Sequence, residues 1–192
     1  RFVYVYDSLG QYVKRVVVNH DELKQNGYRV KVDGLEQGDY QFVVWRGAGA
    51  SQYTVAGDTR RMADFRLSLT QRDGSSAMVL PALFHGQLAT VHCDNTFAEH
   101  DVELMKNTNQ LACLVVPVTT EPTALTADDY TMKLVTANSV MDADNHPTAT
   151  TTTTYEPYEQ AAVTLNEAEY GELHGVRYSL STLRLIGNRD CR

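Results

Sequence analysis

Apolar and polar residues alternate along most of this chain. The alternating runs are short, and turn-forming residues separate them; clear examples are Phe65–Leu69, Tyr130–Val135 and Val176–Ile186. Alternation of this kind is typical of β-strands, in which successive side chains point to opposite faces of a sheet. No long segment has a helical period, and strands do not alternate with helices. The pattern predicts an all-β protein, an antiparallel β-sandwich of about seven strands with at most one short helical turn.

The stretch 33–45, DGLEQGDYQFVVW, departs from strict alternation. Gly34 and Gly38 enclose a polar turn, and the strand pattern that follows, Tyr40–Trp45, is apolar on both faces. A strand of this kind lies in the middle of a sheet when both sides of the sheet are covered. We therefore expect Tyr40–Trp45 to be a central strand.

The N-terminal segment predicts a hairpin followed by one turn of helix. Phe2–Tyr6 and Tyr12–Val18 have strand patterns, and DSLG (7–10) between them is a turn. Asn19 is a suitable helix N-cap, and Gly27 is a suitable stop. We expect a short helical turn between them.

Composition and charge narrow the class of partner. The chain has 192 residues and 43% hydrophobic content, enough for one core or for one domain and part of a second. Its net charge is −7 with no cluster of Lys or Arg, which argues against nucleic acid and against an anionic membrane surface. No apolar run approaches the roughly 20 residues of a membrane-spanning helix. Because the chain starts in a predicted strand at Arg1, we expect a processed or trimmed product of a longer protein.

No catalytic or cofactor-binding centre is predicted. No serine lies in a G-x-S-x-G turn, and His92 and Cys93 are strand neighbours, whose side chains point to opposite faces. The segment GAGA (47–50) lacks the lysine and the following helix of a phosphate-binding loop. We therefore expect a protein that is not an enzyme and needs no cofactor.

An acidic loop is the nearest approach to a metal site. Asp142, Asp144 and Asn145 resemble the start of a calcium loop, but the glycine and the closing glutamate of an EF-hand are missing. An Asx-rich turn is favoured, and no metal site is expected.

The three cysteines, Cys93, Cys113 and Cys191, lack the close spacing of a zinc or redox motif. Their odd number excludes a complete disulfide framework. Cys93 and Cys113 lie on neighbouring predicted strands, so a pairing between them stays open, although two buried free thiols are favoured.

Tyrosines offer a route to carbohydrate binding. Tyr4, Tyr6, Tyr12, Tyr155 and Tyr158 could form an aromatic platform, and alternation places Tyr4 and Tyr6 on one face. Core packing is the favoured role, because aromatic side chains in strands mainly bury area. An extracellular carbohydrate-binding module that uses surface tyrosines is the alternative function.

Several segments, in this order, resemble fimbrillin-type proteins of Bacteroidales. They are VYVYDSLGQYV, DGLEQGDYQFVVW, LFHGQL (83–88), VELMKNTNQLACLVV (102–116), TTYEPY (153–158) and LSTLRLI (180–186). Nearly the whole chain takes part, and the order and spacing of the segments carry the likeness. The chain resembles the fimbrial anchor, or minor fimbrium subunit (FimB-like), family.

The resemblance implies transthyretin-like β-sandwich domains, usually two, in an exported lipoprotein of the outer membrane or cell surface. It implies a non-catalytic fimbrial subunit (an anchor, regulator or tip) that supports adhesion. Fimbrial subunits are the expected partners, with a host protein or glycan as an open alternative and no nucleic acid. Membrane contact is expected only through a lipid anchor that this sequence does not contain. Residues 1–175 are expected to be the N-terminal domain, and residues 176–192 its last strand or the start of a truncated second domain.

The resemblance also implies that one subunit joins the next by strand exchange. The edge of a sandwich offers unpaired N–H and C=O groups to a strand of another chain. The first and last predicted strands are the natural candidates, which selects Phe2, Tyr4 and Tyr6 together with Val176, Tyr178 and Leu180. Ordinary membership of a closed sheet stays open for both strands.

Overall fold

The structure is a computed structural model that describes residues 1–58, 60–116, 129–167 and 171–185. Its strands are β1 (Phe2–Asp7), β2 (Tyr12–Val17), β3 (Gly38–Arg46), β4 (Tyr53–Ala56), β5 (Arg66–Leu69), β6 (Ser75–Ser76), β7 (Phe84–Cys93), β8 (Met105–Lys106), β9 (Thr108–Val115), β10 (Leu134–Thr136), β11 (Val140–Met141), β12 (Thr153–Tyr155), β13 (Glu159–Glu167) and β14 (Gly171–Leu183). The helical elements of these residues are α1 (His20–Gln25) and a 3₁₀ turn (Met62–Asp64). Neither is a candidate for crossing a bilayer.

The largest sheet confirms the prediction of a central strand. Its strand order is β2-β1-β3-β7-β8, with all neighbours antiparallel, so β3 lies in the middle. Tyr40, Val43, Val44 and Trp45 of β3 are buried, although they belong to two different faces. Both faces of this sheet are therefore covered at β3.

Three smaller sheets complete the architecture. Their strand orders are β11-β5-β4, β10-β12-β6 and β13-β14-β9. All pairs between these strands are antiparallel except the parallel pair of β12 and β6. The prediction of an all-β antiparallel sandwich is confirmed. The strand count exceeds about seven because several strands have only two or three residues, which the sequence pattern does not separate from turns.

The main core lies on one face of the five-stranded sheet. Strand register places Tyr4 beside Val43 and Phe2 beside Trp45 on that face. Trp45 stacks on Phe65 with ring centroids 6.1 Å apart. Phe65, just before β5, opposes them. The smaller sheets supply the other opposing residues, which are Leu67, Leu69, Met141, Tyr155, Val176, Tyr178, Leu180 and Leu183.

The opposite face of the same sheet is also covered. Val3 pairs with Val44, and Val44 pairs with Gly86, so these three residues share that face. A Cβ added at Gly86 would lie 2.5 Å from the carbonyl oxygen of Glu103 and 2.6 Å from a methyl group of Val102. The chain therefore crosses closely over β7 here, and only glycine leaves room for it.

The helix cap and the glycine turns have the conformations that the sequence predicts. The Asn19 side chain accepts a hydrogen bond of 2.8 Å from the backbone N–H of Glu22, as an N-cap does. Gly27 has φ +61° just after α1, and Gly34 has φ +68° in the turn before β3. The short helix and its boundaries are confirmed.

The last described strand, β14, crosses the expected domain boundary. It runs unbroken from Gly171 to Leu183 and pairs with β13 on one side and β9 on the other. The division into residues 1–175 and 176–192 stays a prediction, and residues 186–192 lie outside the described part of the chain.

Candidate functional site

The first group of predicted partner-strand residues lies inside a sheet. Tyr4 and Tyr6 are fully buried, and Phe2 is half-buried. Their strand, β1, has β2 along one edge and β3 along the other. Both edges of β1 are therefore paired within the chain.

The second group has the same environment. Val176, Tyr178 and Leu180 are buried in the main core, and β14 lies between β13 and β9. The outer positions of the two sheets belong instead to β2 and β8 and to β13 and β9. A partner-strand role for these six residues stays a prediction, and it would require β1 or β14 to leave a neighbour.

The surface platform of tyrosines, the less favoured alternative, is excluded for three of its five members. Tyr4, Tyr6 and Tyr155 are fully buried, because they fill the space between the sheets. The Tyr155 hydroxyl donates to the side-chain oxygen of Asn138 at 2.8 Å, and burial raises the pKa of Tyr155 to about 12. Tyr12 and Tyr158 are half-buried. The favoured alternative, core packing, is the role of the three buried rings.

The cysteines that the structure describes are free thiols. Cys93 ends β7 and Cys113 lies in β9, which belong to different sheets. Both are half-buried. Cys191 lies outside the described residues.

An open cleft borders the main core at the end of β11. Its volume is about 370 Å³. The residues that line it come from β3, from the 3₁₀ turn, from β5 and from the segment after β11, and they are Gln41, Met62, Ala63, Arg66, Asp142, Ala143, Asp144 and Thr148. The Arg66 guanidinium donates to the carbonyl oxygens of Ala63 and Phe65 at 2.8 and 2.6 Å. Side chains of positive and of negative charge therefore line the same concave surface.

The loop 142–147 on one side of this cleft is held by buried residues. Ala143 is 2% exposed and Asn145 is 4% exposed. The amide side chains of Asn145 and Asn107 bond each other reciprocally, one of these bonds measuring 2.9 Å. Nε2 of His85 lies 2.9 Å from the carbonyl oxygen of Ala143, to which it donates. The loop is the Asx-rich turn that the sequence predicts, and it is anchored at two alternate positions.

The residues between and beside these anchors are Asp142, Asp144 and His146. Their ligand atoms, one from each side chain, all lie within 4.8 Å of one another. The His146 backbone N–H donates to Oδ1 of Asp142 at 2.8 Å, and the Gln87 side-chain amide donates to Oδ1 of Asp144 at 2.9 Å. Two carboxylates and one imidazole therefore meet at the rim of the cleft.

His85 links this loop to the core. Its ring is 8% exposed and lies 4.7 Å from the ring of Trp45. Burial lowers the pKa of His85, and the nearby Ala143 carbonyl and the carboxylates of Asp144 and Asp142 oppose that shift. The neutral imidazole is the form that suits this position.

The sequence singled out Asp142 and Asp144 as part of an Asx-rich turn rather than a site, and it did not indicate three residues that shape their surroundings. His85 and Gln87 come from β7, and Asn107 lies between β8 and β9; all three are far along the chain from residue 142. His146 lies only two residues beyond Asp144 and could have been found as an additional ligand type. Only a search for the alternating set D-x-D-x-H, rather than for EF-hand spacing, would have included it.

A known protein family matches nearly the whole chain. The family model "Mfa2: Fimbrillin-A associated anchor proteins Mfa1 and Mfa2" matches residues 3–192. No curated protein matches the chain.

Solved structures with the same fold are also known. A candidate adhesin of Bacteroides thetaiotaomicron is 27% identical with a TM-score of 0.80, over 100% of this chain and 65% of that one. A candidate polysaccharide-binding protein of the same species is 21% identical with a TM-score of 0.77, over 98% of this chain and 64% of that one. The fimbrial anchor protein Mfa2 of Porphyromonas gingivalis is 17% identical with a TM-score of 0.66, over 97% of this chain and 65% of that one. The chain thus spans somewhat less than two thirds of these proteins, and the last two likenesses are of fold alone.

Proposed function

Because this chain belongs to the family of fimbrillin-A-associated anchor proteins, we propose that it is a non-catalytic structural subunit of a fimbria at the cell surface. The match of residues 3–192 to that family is the observation that carries the proposal. The family is one of fimbrial anchor proteins, which is not a class of enzymes. The all-β sandwich is consistent with this role, since sheets present long surfaces and edges to neighbouring subunits.

The role within the fimbria is that of an anchor, with regulator and tip as the alternatives. The anchor version includes export and attachment to the outer membrane as a lipoprotein. Membrane contact would then belong to a lipid on the whole protein, and the sandwich would contact other subunits. Residues 1–175 would form the N-terminal domain together with the rest of β14, which would be its last strand.

Deletion of the gene in its own organism tests the role. We expect fimbriae to be shed into the medium or to change in length, because the link between polymer and cell is lost. Electron microscopy of the cells and immunoblots of the medium measure this, and the complemented strain is the control. Fimbriae of unchanged number, length and attachment would contradict the proposal.

Assembly by strand exchange is the more specific part of the proposal. A donated strand gains affinity from main-chain hydrogen bonds and specificity from alternate side chains. Val176, Tyr178 and Leu180 provide such a set in β14, since all three side chains enter the core. Phe2, Tyr4 and Tyr6 provide the corresponding set in β1.

Peptide competition tests the exchange. Synthetic peptides of residues 1–7 and 174–184 are added to purified subunits during assembly, and polymer formation is followed by light scattering. We expect one of them to block assembly, because it occupies the acceptor groove. The matched control peptides carry Asp at positions 4 and 6 or at positions 176, 178 and 180. Assembly that neither native peptide slows would exclude both strands.

Carbohydrate binding is the second candidate, and the cleft favours it. Gln41, Arg66 and Thr148 offer donors and acceptors on one concave surface. Of the five tyrosines considered as a sugar-binding platform, Tyr12 and Tyr158 are the two that are not fully buried. A glycan array with the native chain, Tyr12→Ala, Tyr158→Ala and Arg66→Ala tests this candidate. Glycan binding that all three variants retain, or the lack of any binding, would count against it.

A further inference from the structure

We propose that Asp142, Asp144 and His146 form a binding site for a divalent transition-metal cation of the Zn²⁺ type. This site is independent of the fimbrial role and adds a ligand to the rim of the cleft. One carboxylate oxygen from each aspartate and one ring nitrogen of His146 would be the protein ligands.

The spacing of the three groups suits a single small ion. The ligand atoms lie within 4.8 Å of one another. Nδ1 of His146 is 3.8 Å from Oδ2 of Asp142. Bonds of about 2.0–2.2 Å to one tetrahedral ion place neighbouring ligand atoms about 3.3–3.6 Å apart. Binding would therefore require side-chain rotations that bring the ligand atoms closer together.

The ligand types favour a transition metal over calcium. Ca²⁺ takes six to eight oxygen ligands, and the described loop lacks the bidentate glutamate that completes a calcium cage. Imidazole nitrogen combined with carboxylate oxygen suits Zn²⁺ and neighbouring metals. Three protein ligands would leave one position of a tetrahedral ion open to water or to a group bound in the cleft.

Groups outside the cluster hold one of its ligands and the loop itself in place. The Gln87 side-chain amide, from β7, donates to Asp144 at 2.9 Å. Hydrogen bonds from outer residues to ligating carboxylates are typical of metal sites, because they fix the direction of the ligand. The anchors at Ala143 and Asn145 keep the loop from spreading. The loop backbone that carries the ligands is therefore fixed before any ion binds, which lowers the entropy cost of binding.

Other histidine–carboxylate contacts in the part of the chain that the structure describes lack the third ligand. His92 lies 2.8 Å from Asp39, and His174 lies 3.0 Å from Glu172. Among the described residues, three potential ligands come together only at residues 142, 144 and 146. The pair of His92 and Asp39 is a matched control, since it offers the same two ligand types without the third.

Titration calorimetry of the tag-free chain with ZnCl₂ tests the proposal. We expect one equivalent of Zn²⁺ to bind saturably. His146→Ala and Asp144→Asn should each weaken binding by at least about tenfold, since each removes a ligand, and Gln87→Ala should weaken it about tenfold by freeing Asp144. His92→Ala should bind as the native chain does. Circular dichroism of each variant checks that it is folded.

Three results would overturn the proposal. The first is the lack of saturable Zn²⁺ binding at millimolar concentration. The second is Zn²⁺ binding that His146→Ala retains, which would place the ion elsewhere, for example on the thiols of Cys93 or Cys113. The third is a site that binds Ca²⁺ but not Zn²⁺ and that does not depend on His146.

Discussion

Strands β1 and β2 are hydrogen-bonded neighbours in one sheet and are similarly rich in Val and Tyr, yet their environments differ. The interior four residues of β1 are all buried, whereas every second residue of β2 is exposed. Val5 is 0% exposed, and Val13 on the neighbouring strand is 40% exposed. The reason is position: β1 has strands on both sides and core on both faces, whereas β2 ends the sheet. Apolar content alone therefore does not distinguish an interior strand from an edge strand.

The largest expected effect is that of truncating one aromatic residue on each of the two strands. Tyr4→Ala should lower the free energy of unfolding by about 3–5 kcal/mol, because it leaves a cavity where the ring meets Phe65. Tyr12→Ala should cost less than about 2 kcal/mol, since Tyr12 is only half-buried. Urea denaturation of both variants measures the difference. Equal losses would mean that β2 is as deeply packed as β1.

A second comparison makes the same substitution, valine to alanine, on both strands, and its expected effect is smaller. Val5→Ala should destabilise the protein by about 2 kcal/mol, as expected for two buried methyl groups and the space they leave. Val13→Ala should stay within about 0.5 kcal/mol of the native chain. Midpoints of chemical denaturation give both values. If Val13→Ala were the more damaging change, the assignment of β2 to the sheet edge would be wrong.

Removing a single hydroxyl group from β1 should lower the unfolding free energy by a smaller amount. The Tyr6 hydroxyl donates to the buried carbonyl oxygen of Gly57 at 2.8 Å, so Tyr6→Phe leaves that oxygen without this donor. We expect a loss of about 1–2 kcal/mol in unfolding free energy. The control is Tyr158→Phe, whose exposed hydroxyl bonds to Gln110 and can be replaced by water. Thermal denaturation in which the control loses as much stability would contradict this explanation.

The smallest expected effect depends on pH and concerns His85, at the other end of the same core face. The pKa of His85 is lowered by burial, so the unfolded chain takes up its proton at a higher pH than the folded chain. The stability that the neutral ring provides is complete above the unfolded pKa and is lost as pH falls through the folded pKa. The stability difference between the native chain and His85→Gln should therefore shrink from pH 7.5 to pH 5. Thermal unfolding in a chelator-containing buffer measures it, and a difference that does not change with pH would contradict the prediction.

Local chemistry made much of the fold predictable. The period of two revealed strands, the doubly apolar Tyr40–Trp45 indicated a central position, and Asn19 and Gly27 marked the ends of a short helix. These features depend on side chains within a few residues of one another, so the sequence contains the necessary information. Strands of two residues, such as β6, were not predictable because so short a segment has no measurable period.

The candidate site was predictable only in part, because it depends on residues that are distant from one another in the sequence. Asp142 and Asp144 stand out in the sequence, but their support comes from Gln87 and Asn107, which the sheet brings to the loop. The same is true of the tyrosines: alternation places Tyr4 and Tyr6 on one face correctly, but it cannot tell whether that face meets water or a second sheet.

The sequence by itself determined that this chain is an antiparallel β-protein, and its ordered segments indicated the fimbrial anchor family to which it belongs. Only the tertiary structure decided that β1 and β14 are interior strands, that their aromatic residues fill the core, and that two aspartates and a histidine share one rim with Gln87. Strand patterns arise from neighbours along the chain. Burial and site geometry arise from packing between segments that are distant in sequence, where the balance of buried area and strand pairing selects one arrangement.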